Sequence, residues 1–540
     1  MLCSTNSLAP VAVAQTATDT DDAADIAVDD ANDYVRELQK NADEAGSAKW
    51  GHWGSNKSKY VSWSNHSNRL IPIYTWGIDL TKYSGANSPY RDRNKIEKLY
   101  GRVPDNTLNS RAAYLDQTNV YDLQRDAVAA GKKYIILMIF DGMDWHTTRA
   151  ASIYKSKQVY DSGRGSGLYF QDYEGPNGLV SDYGAFVTSP WNNSNDADVD
   201  AQTVITPSNT HYGGYDANIA GYTPWARVKS DDYLLDSYRA LPHAVTDSAS
   251  SATSMNAGIK TYNAAINVDN EGNQVMTIAH ELQRDKNFAI GVVTSVPISH
   301  ATPAATYSHN VSRNDYQDLS RDLVGLPSIS HRSEPLPGVD VLLGAGWGET
   351  TEKDSKQGNN FVPNSNKYLP ESEIESLDYQ NGGKYVVAQR TAGKKGRDVL
   401  MTAAREAYDQ DKRLFGFFGV GGGQLPFQTA DGNYNPYKVS YSKADVFENP
   451  TLADYAQAAL GVLSKNPNGF WLMIEAGDVD WANHSNNLDS AIGAVLSGDD
   501  AFRLVTKWIE RRKLWNDTAI ILCADHGHYF VLDDPKVLTK

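Results

Sequence analysis

The feature that most constrains the fold is a seven-residue apolar run, Tyr134–Phe140, that leads directly into Asp141 and Gly142. A helix that spans a membrane needs roughly 20 apolar residues, so this run is far too short for one. It suits a strand buried on both faces, as in a parallel sheet covered by helices. An acidic residue and a glycine directly after such a strand predict a functional loop at the edge of the sheet.

Strand and helix patterns alternate along the rest of the chain, which predicts an α/β fold, a three-layer sandwich around a mostly parallel central sheet. The later strands are predicted at 289–294, 339–343, 414–418, 470–474 and 518–524. The helices are predicted from about residue 248 and at 276–285, 452–463 and 488–515. The carboxyl ends of parallel strands meet at one edge of a sheet. The metal-binding residue types that follow the predicted strands are Asp141, His300, Thr302, Glu475, Asp480, His484, Asp525 and His526.

The 540 residues are enough for one large domain with insertions or for two domains. We interpret 1–18 as a damaged export signal, 19–130 as an N-terminal extension and 131–540 as the catalytic domain, with insertions near 161–230 and 345–450. The first segment lacks the basic residues that begin an export signal, so a disordered tail explains it equally well. An export signal would place the protein in the periplasm or outside the cell. The extension shows little periodicity, and we interpret it as a surface-wrapping segment or as an arm that embraces a partner.

The charge balance argues against one class of partner. The formal net charge is −16, so the surface should repel nucleic acid and anionic lipid. The two cysteines, Cys3 and Cys523, imply no disulfide framework. We therefore expect no nucleic-acid binding, and the shortness of the apolar run at 134–140 argues against a membrane span.

A candidate nucleophile lies in the segment 245–253, which reads VTDSASSAT. Asp247 and Ser248 precede small residues that can open a helix, which would place the serine at the positive end of the helix dipole. An ordinary helix N-cap explains the same pattern, because aspartate and serine are both favoured there. Alone, the segment does not establish a nucleophile.

Two pairs of residues have metal-ligand character. Asp480 and His484 are four residues apart, so on a helix they lie on one face and could share an ion. Asp525 and His526 directly follow a predicted buried strand. Taken alone, such pairs are more often salt bridges or turns. Together with the other carboxylates predicted at the same edge, however, they bring more negative charge into one place than a protein interior tolerates without cations.

The segment 245–253 resembles the nucleophile signature of the alkaline phosphatases at every position. The family's other motifs follow in the same order, as Phe140-Asp141-Gly142-Met143, His300-Ala301-Thr302-Pro303-Ala304, Arg313, 475–484 and Ala524-Asp525-His526-Gly527-His528. The resemblance covers roughly residues 131–530 and is thin between about 345 and 450. It implies a metal-dependent phosphomonoesterase with the three-layer fold of that family, in which Ser248 becomes phosphorylated. The implied substrates are small-molecule phosphate monoesters.

The resemblance also implies two zinc ions, one magnesium ion and the side chains that hold them. The zinc that activates Ser248 would be held by Asp141, Asp525 and His526, the other zinc by Asp480 and His484, and the magnesium by Asp141, Thr302 and Glu475. Arg313 would grip two phosphate oxygens, which a planar guanidinium does with two parallel hydrogen bonds.

Four further residues lie beside these motifs: Asp247, His300, Trp481 and His528. His300 would either support the third metal, favouring a softer ion, or be a hydrogen-bonded loop histidine. Trp481 would line the substrate entrance or simply pack on the protein. His528 is expected to contact a metal ligand rather than to be one.

The sequence departs from the family pattern at one ligand. In the family, the second zinc has a third ligand, a histidine some forty residues beyond the position of His526. The present sequence ends at Lys540 and has no histidine after His528. We therefore expect a chain that lacks this ligand, together with the strand and helix that close the domain, and a weakly held second zinc. His146 or His211 could replace the ligand in principle, but no spacing favours either.

Two other functions stay open. A phosphodiesterase of the same superfamily would share the metal-binding edge, although Arg313 and the Asp-Ser pair favour the more highly charged monoester. Loss of the missing ligand would leave an inactive protein that binds metal or phosphate. A sulfatase is disfavoured because neither cysteine lies in a Cys-x-Pro-x-Arg motif. The resemblance is also compatible with a homodimer.

Overall fold

The structure is a computed structural model that describes residues 33–62, 66–226 and 243–540. The segment 1–18, interpreted above as an export signal, lies outside the described residues, as do Cys3 and the end of the segment 161–230. Among the described residues, no helix combines the length and the apolar character needed to cross a membrane.

A ten-stranded sheet forms the centre of the molecule, with strand order β13-β14-β10-β9-β15-β5-β16-β3-β6-β4. In chain order the strands are β1 (Gly51–Trp53), β2 (His66–Ser67), β3 (Ile71–Trp76), β4 (Leu115–Asp116), β5 (Tyr134–Phe140), β6 (Asp182–Val187), β7 (Asp196–Asp198), β8 (Thr203–Ile205), β9 (Ala289–Pro297), β10 (Val341–Ala345), β11 (Thr350–Thr351), β12 (Ser365–Asn366), β13 (Tyr385–Gln389), β14 (Arg413–Phe417), β15 (Phe470–Ala476), β16 (Thr518–Cys523), β17 (Gly527–His528) and β18 (Phe530–Leu532). The pairs β16–β3 and β3–β6 are antiparallel and the other pairs of this sheet are parallel. The predicted α/β fold with a mostly parallel central sheet is confirmed.

Helices connect these strands. The α-helices are Tyr34–Ala45, Arg93–Tyr100, Asn119–Ala129, Trp145–Ser156, Tyr169–Asp172, Ala217–Ala220, Ser248–Ala257, Ile278–Lys286, Ala301–Ala304, Tyr316–Val324, Glu371–Leu377, Gly396–Asp409, Lys443–Phe447, Leu452–Leu463, Asp478–His484 and Leu488–Arg512. Short 3₁₀ turns lie at Gly85–Asn87, Pro89–Arg91, Pro176–Gly178, Tyr379–Asn381, Trp515–Asp517 and Pro535–Thr539.

Four neighbouring parallel strands, β9, β15, β5 and β16, hold the middle of the sheet. Their residues are buried almost throughout, as expected for strands covered by helices on both faces. Strands β15 and β5 pair from Phe470 opposite Tyr134 to Ala476 opposite Phe140, so their carboxyl ends lie level. The loops that follow these strands therefore meet at one edge of the sheet.

The segment 19–130, interpreted above as an extension outside the catalytic domain, contributes β3 and β4 to the central sheet. The sequence of β3, IPIYTW, is rich in β-branched and aromatic residues and is entirely buried. It pairs antiparallel with β16, Ile73 lying opposite Cys523. Two short ribbons, β1 with β18 and β2 with β17, join the same segment to the residues that follow β16. This part of the chain is therefore built into the sheet beside its functional edge.

The segments interpreted as insertions also contribute to the central sheet. Strand β6 lies within 161–230, and β13 and β14 lie within 345–450. Strand β6 pairs with β3, whereas β13 and β14 form the opposite end of the sheet. Both segments thus combine loop structure with strands of the main fold.

Candidate active site

Ser248 begins a helix, Ser248–Ala257, whose N-cap is Asp247. The Asp247 carboxylate accepts a hydrogen bond of 3.0 Å from the backbone N–H of Ser250, which satisfies one of the free donors at the helix end. Every residue of the helix is buried. The Ser248 hydroxyl oxygen lies 3.0 Å from Nε2 of His526. The predicted nucleophile and one predicted metal ligand are therefore in direct contact.

Asp525 and His526 follow β16 and face the loop that follows β5. The backbone N–H of Gly142 donates to Oδ1 of Asp525 over 3.1 Å, and the Ser251 hydroxyl donates to Oδ2 over 3.1 Å. Nε2 of His526 lies 3.2 Å from Oδ1 of Asp141. The structure thus brings together the three residues that the resemblance assigns to one metal.

Gly142 permits this close approach. Its φ of +71° lies in the left-handed region, and a Cβ there would stand 2.9 Å from the His528 ring and 3.1 Å from Cα of Asp480. Any other residue would clash with the side of the site that carries Asp480.

The predicted third-metal residues, Asp141, Thr302 and Glu475, are also adjacent and fully buried. The Thr302 hydroxyl donates to Oδ2 of Asp141 over 3.4 Å. The Glu475 carboxylate accepts a short hydrogen bond from the Thr294 hydroxyl on the neighbouring strand β9. These groups present oxygen atoms, which hard cations such as Mg²⁺ prefer.

Burial and mutual repulsion shift the acidity of these carboxyl groups. Burial and the charge of Asp480 raise the pKa of Asp141 well above its usual range, and burial and Asp141 do the same to the pKa of Asp525. Burial raises the pKa of Glu475 to about 8. Burial opposes ionisation of Asp480 too, but the neighbouring histidines, His484 first, hold its pKa well below the usual value. Without cations, these carboxylates do not all ionise together at neutral pH.

Asp480 and His484 lie on the helix Asp478–His484, and His484 Nε2 is 3.4 Å from Asp480 Oδ1. Nε2 of His528 lies closer to the same oxygen, at 2.7 Å, which is a hydrogen-bond distance. An unpredicted residue completes the cluster. Nε2 of His66, in β2, lies 3.2 Å from His484 Nε2 and 3.6 Å from Asp480 Oδ1.

An open cleft of about 380 Å³ leads to these groups. Its lining includes Ser248, Arg313, His300 and Trp481. Nη1 of Arg313 donates to Oδ2 of Asp247 over 2.9 Å, which holds the guanidinium beside the serine. Burial, and then the nearby guanidinium, lower the pKa of His300 to about 3, so its ring is neutral at the cleft wall. The rings of His300 and Trp481 meet edge to face with 5.7 Å between centroids.

A protein-family model described as alkaline phosphatase matches residues 207–537, more than half of the sequence. The chain belongs to the alkaline phosphatase family. The match includes every site residue predicted from the sequence that lies beyond residue 207, while Asp141 and the newly found His66 lie before it.

Two curated alkaline phosphatases agree with this assignment. Alkaline phosphatase 3 of Bacillus subtilis is 29% identical over 302 residues, which cover 55% of this chain and 53% of that protein. The alkaline phosphatase of Escherichia fergusonii is 32% identical over 306 residues, covering 55% of this chain and 61% of that protein. The matches thus span little more than half the length of these curated relatives. The crystal structure of a cold-active alkaline phosphatase from Shewanella sp. aligns with 73% of this chain and 68% of its own, at 21% identity and a TM-score of 0.42.

Members of the alkaline phosphatase family use metal cofactors, and the site fits them. The buried atoms Asp141 Oδ1 and Glu475 Oε1 have no hydrogen-bond partner among the described residues. One ligand atom from each of Asp141, Asp525 and His526 lies within 4.8 Å of the others. Carboxylate oxygens and imidazole nitrogens at this spacing suit divalent cations. The site therefore has both the ligand atoms and the negative charge to hold metal ions.

His66 is the member of this cluster that the sequence analysis did not identify. The histidines considered as substitutes, His146 and His211, belong to neither of the ligand groups that contain Asp480 or Asp141 among the described residues. One local signal points toward His66: it shortly precedes the β-branched and aromatic run of β3. That signal predicts a strand, but its pairing with β16 depends on contacts across the whole chain.

Proposed function

We propose that this protein hydrolyses phosphate monoesters through a phosphoserine formed at Ser248. One observation carries the proposal: the Ser248 hydroxyl lies at a helix N-terminus, touches His526 and faces the same cleft as Arg313. A phosphate ester in this cleft would meet a nucleophile, a fixed guanidinium and a cluster of metal ligands at once. The family supports the reaction class, since its curated members are named alkaline phosphatases.

We assign the metal ions by ligand chemistry. A zinc ion would be held by Asp141, Asp525 and His526, a second by Asp480 and His484, and a magnesium ion by Asp141, Thr302 and Glu475. When bound, these ions would lower the pKa of the serine hydroxyl and neutralise charge on the ester and departing oxygens. The raised pKa values of the carboxyl groups support cations at these positions, because bound cations favour the ionised forms.

The side chains of the protein position the reacting groups. Asp247 holds Arg313 so that its remaining N–H groups can take two phosphate oxygens, while the N-terminus of the helix favours negative charge at Ser248. The serine oxygen bonds to phosphorus as the ester oxygen leaves, and water then breaks the bond between phosphorus and the serine oxygen. Each displacement inverts phosphorus, so the overall reaction retains configuration.

The decisive experiment is hydrolysis of an aryl phosphate at alkaline pH, measured before chelation, after chelation, and after zinc and magnesium are restored. We expect turnover that disappears with the metals and returns with them. Turnover unaffected by complete metal removal would contradict the metal assignment. An absence of turnover in the reconstituted protein would favour the alternative of a protein that only binds metal or phosphate, and preferential cleavage of a diester would favour a phosphodiesterase.

Arg313→Ala should weaken phosphate binding and lower kcat/KM by about 10²–10³-fold, because one fixed donor to a developing anion is worth that much in other enzymes. Arg313→Lys keeps the charge but not the planar fork, so its loss should be smaller. Isothermal titration with inorganic phosphate, together with steady-state kinetics, measures both effects. Unchanged phosphate affinity in Arg313→Ala would contradict the role of this side chain.

A further inference from the structure

We propose that His66 is the third protein ligand of the metal ion held by Asp480 and His484. The inference rests on the proposed function for the role of that ion, but its geometry stands independently. The ligand would come from the N-terminal part of the chain, upstream of every other ligand in the site.

The spacing of the three ligand atoms matches tetrahedral coordination. Two atoms bound to zinc at 2.0–2.1 Å and separated by the tetrahedral angle lie about 3.3 Å apart. The His66 Nε2 to His484 Nε2 distance is 3.2 Å, the His484 Nε2 to Asp480 Oδ1 distance is 3.4 Å, and the His66 Nε2 to Asp480 Oδ1 distance is 3.6 Å. All three distances lie close to this value, so a single ion fits between the three atoms.

The other ring nitrogen of His66 is held in the way that metal-ligating histidines require. Nδ1 lies 2.9 Å from the carbonyl oxygen of Thr246, which can only accept, so Nδ1 carries the proton. Nε2 of the neutral ring is therefore left with its lone pair directed toward Asp480 and His484. A backbone carbonyl that fixes the tautomer of a histidine is a recurring feature of metal sites. The His66 ring also stacks on the His526 ring, with 3.5 Å between centroids, which fixes its orientation.

His528 fits the ligand role less well than His66 does. Its Nε2 lies only 2.7 Å from Asp480 Oδ1, closer than two ligands of one zinc ion and typical of a direct hydrogen bond. His528 therefore orients the Asp480 carboxylate, and His66 remains the histidine at ligand spacing.

Backbone pairing fixes His66 in place. In the ribbon of β2 and β17, His66 lies directly opposite His528, and β3 continues along β16, the strand that leads to Asp525 and His526. The position of the ring is thus tied to the same strand that positions the other metal ligands.

The test compares metal binding by the full-length chain with His66→Ala, using His146→Ala as the control. His146 is a partly buried histidine that lies outside the ligand group of Asp480. After dialysis against a weak chelator, we expect His66→Ala to lose one equivalent of zinc, with at least about 100-fold weaker binding at that site, and His146→Ala to keep the full complement. Full zinc binding at unchanged affinity in a folded His66→Ala protein would overturn the proposal.

A second variant gives a direct signature of coordination. In cobalt-substituted His66→Cys, a thiolate bound to the ion should add a thiolate-to-cobalt charge-transfer band that the unmutated protein lacks, because its described cysteine, Cys523, is buried in β16. Absence of the band from cobalt-loaded His66→Cys would also overturn the proposal. Neither measurement requires turnover. Loss of zinc from His66→Ala in a protein that hydrolyses no phosphate ester would leave the ligand assignment standing and reject the proposed function.

Discussion

Ser248→Ala is expected to abolish the phosphoenzyme and to lower turnover of an aryl phosphate by about 10⁴-fold or more, while the metal ions stay bound. The substitution removes the oxygen that would bond to phosphorus but none of the metal ligands. The hydroxyl is 3.0 Å from His526 Nε2, and the backbone of this helix is held independently by the Asp247 N-cap. Rapid quenching with radiolabelled substrate measures the phosphoenzyme, and elemental analysis measures the metals.

Ser254→Ala is the matched control for this substitution. Ser254 lies on the same helix and is also buried, but its hydroxyl donates to the Ser250 carbonyl over 2.9 Å and faces no metal ligand. Its loss should leave turnover within a few-fold of the unmutated enzyme. A phosphoenzyme of normal yield in Ser248→Ala would place the nucleophile elsewhere.

The central elements of the fold were predictable because their signals are local. The strand Tyr134–Phe140 and the helix Leu452–Leu463 have the predicted bounds, since an uninterrupted apolar run defines the first and a Thr451 N-cap with regular apolar spacing defines the second. The helix predicted to begin near residue 248 begins at Ser248, after an Asp247 N-cap that is also a local signal. The strand leads directly to Asp141, and the helix that begins at residue 248 carries the proposed nucleophile.

The role of residues 47–90 was not predictable in the same way. Strand β3 is short, and the residues around it have no clear period, so its place in the sheet depends on pairing with β16 at the other end of the sequence. The short distance between His66 and His484 depends on that long-range pairing, and no spacing in the sequence predicts it. Local patterns, together with the family resemblance, thus predicted most of the candidate site residues, while His66 was found only in the three-dimensional fold.

The resemblance alone also could not show how the carboxylates tolerate one another. Four acidic side chains, Asp141, Glu475, Asp480 and Asp525, lie together with almost no exposure to solvent. Three of them have raised pKa values, whereas Asp480 is surrounded by histidines and has a lowered one. In the metal-free protein, ionised forms of these carboxyl groups therefore repel one another, and bound cations would reduce this repulsion.

Asp525→Asn should consequently lower metal binding and activity yet raise the stability of the metal-free protein. Because the folded-state pKa of Asp525 is raised, its ionisation above the usual pKa of an aspartate favours the unfolded chain, and a neutral amide of the same shape removes that penalty. We expect at least about 10³-fold less activity, loss of the metal that Asp525 shares with Asp141, and a thermal unfolding midpoint in chelator that rises by roughly a few degrees at neutral pH.

Asp478→Asn is the control that distinguishes the loss of a metal ligand from the loss of any buried carboxylate. Asp478 is buried beside the same site, and its Oδ1 accepts a 2.7 Å hydrogen bond from Ser295 instead of facing a ligand group. This control should keep the full metal content. Calorimetry or dye-monitored unfolding with and without zinc, combined with metal analysis, measures the two variants side by side.

If Asp525→Asn bound zinc as tightly as the unmutated protein, Asp525 would not be a ligand. The ligand role and the electrostatic cost arise from the same buried charge, so both effects should appear together. If Asp525→Asn bound less zinc without stabilising the metal-free form, the charge of Asp525 would not be what destabilises that form.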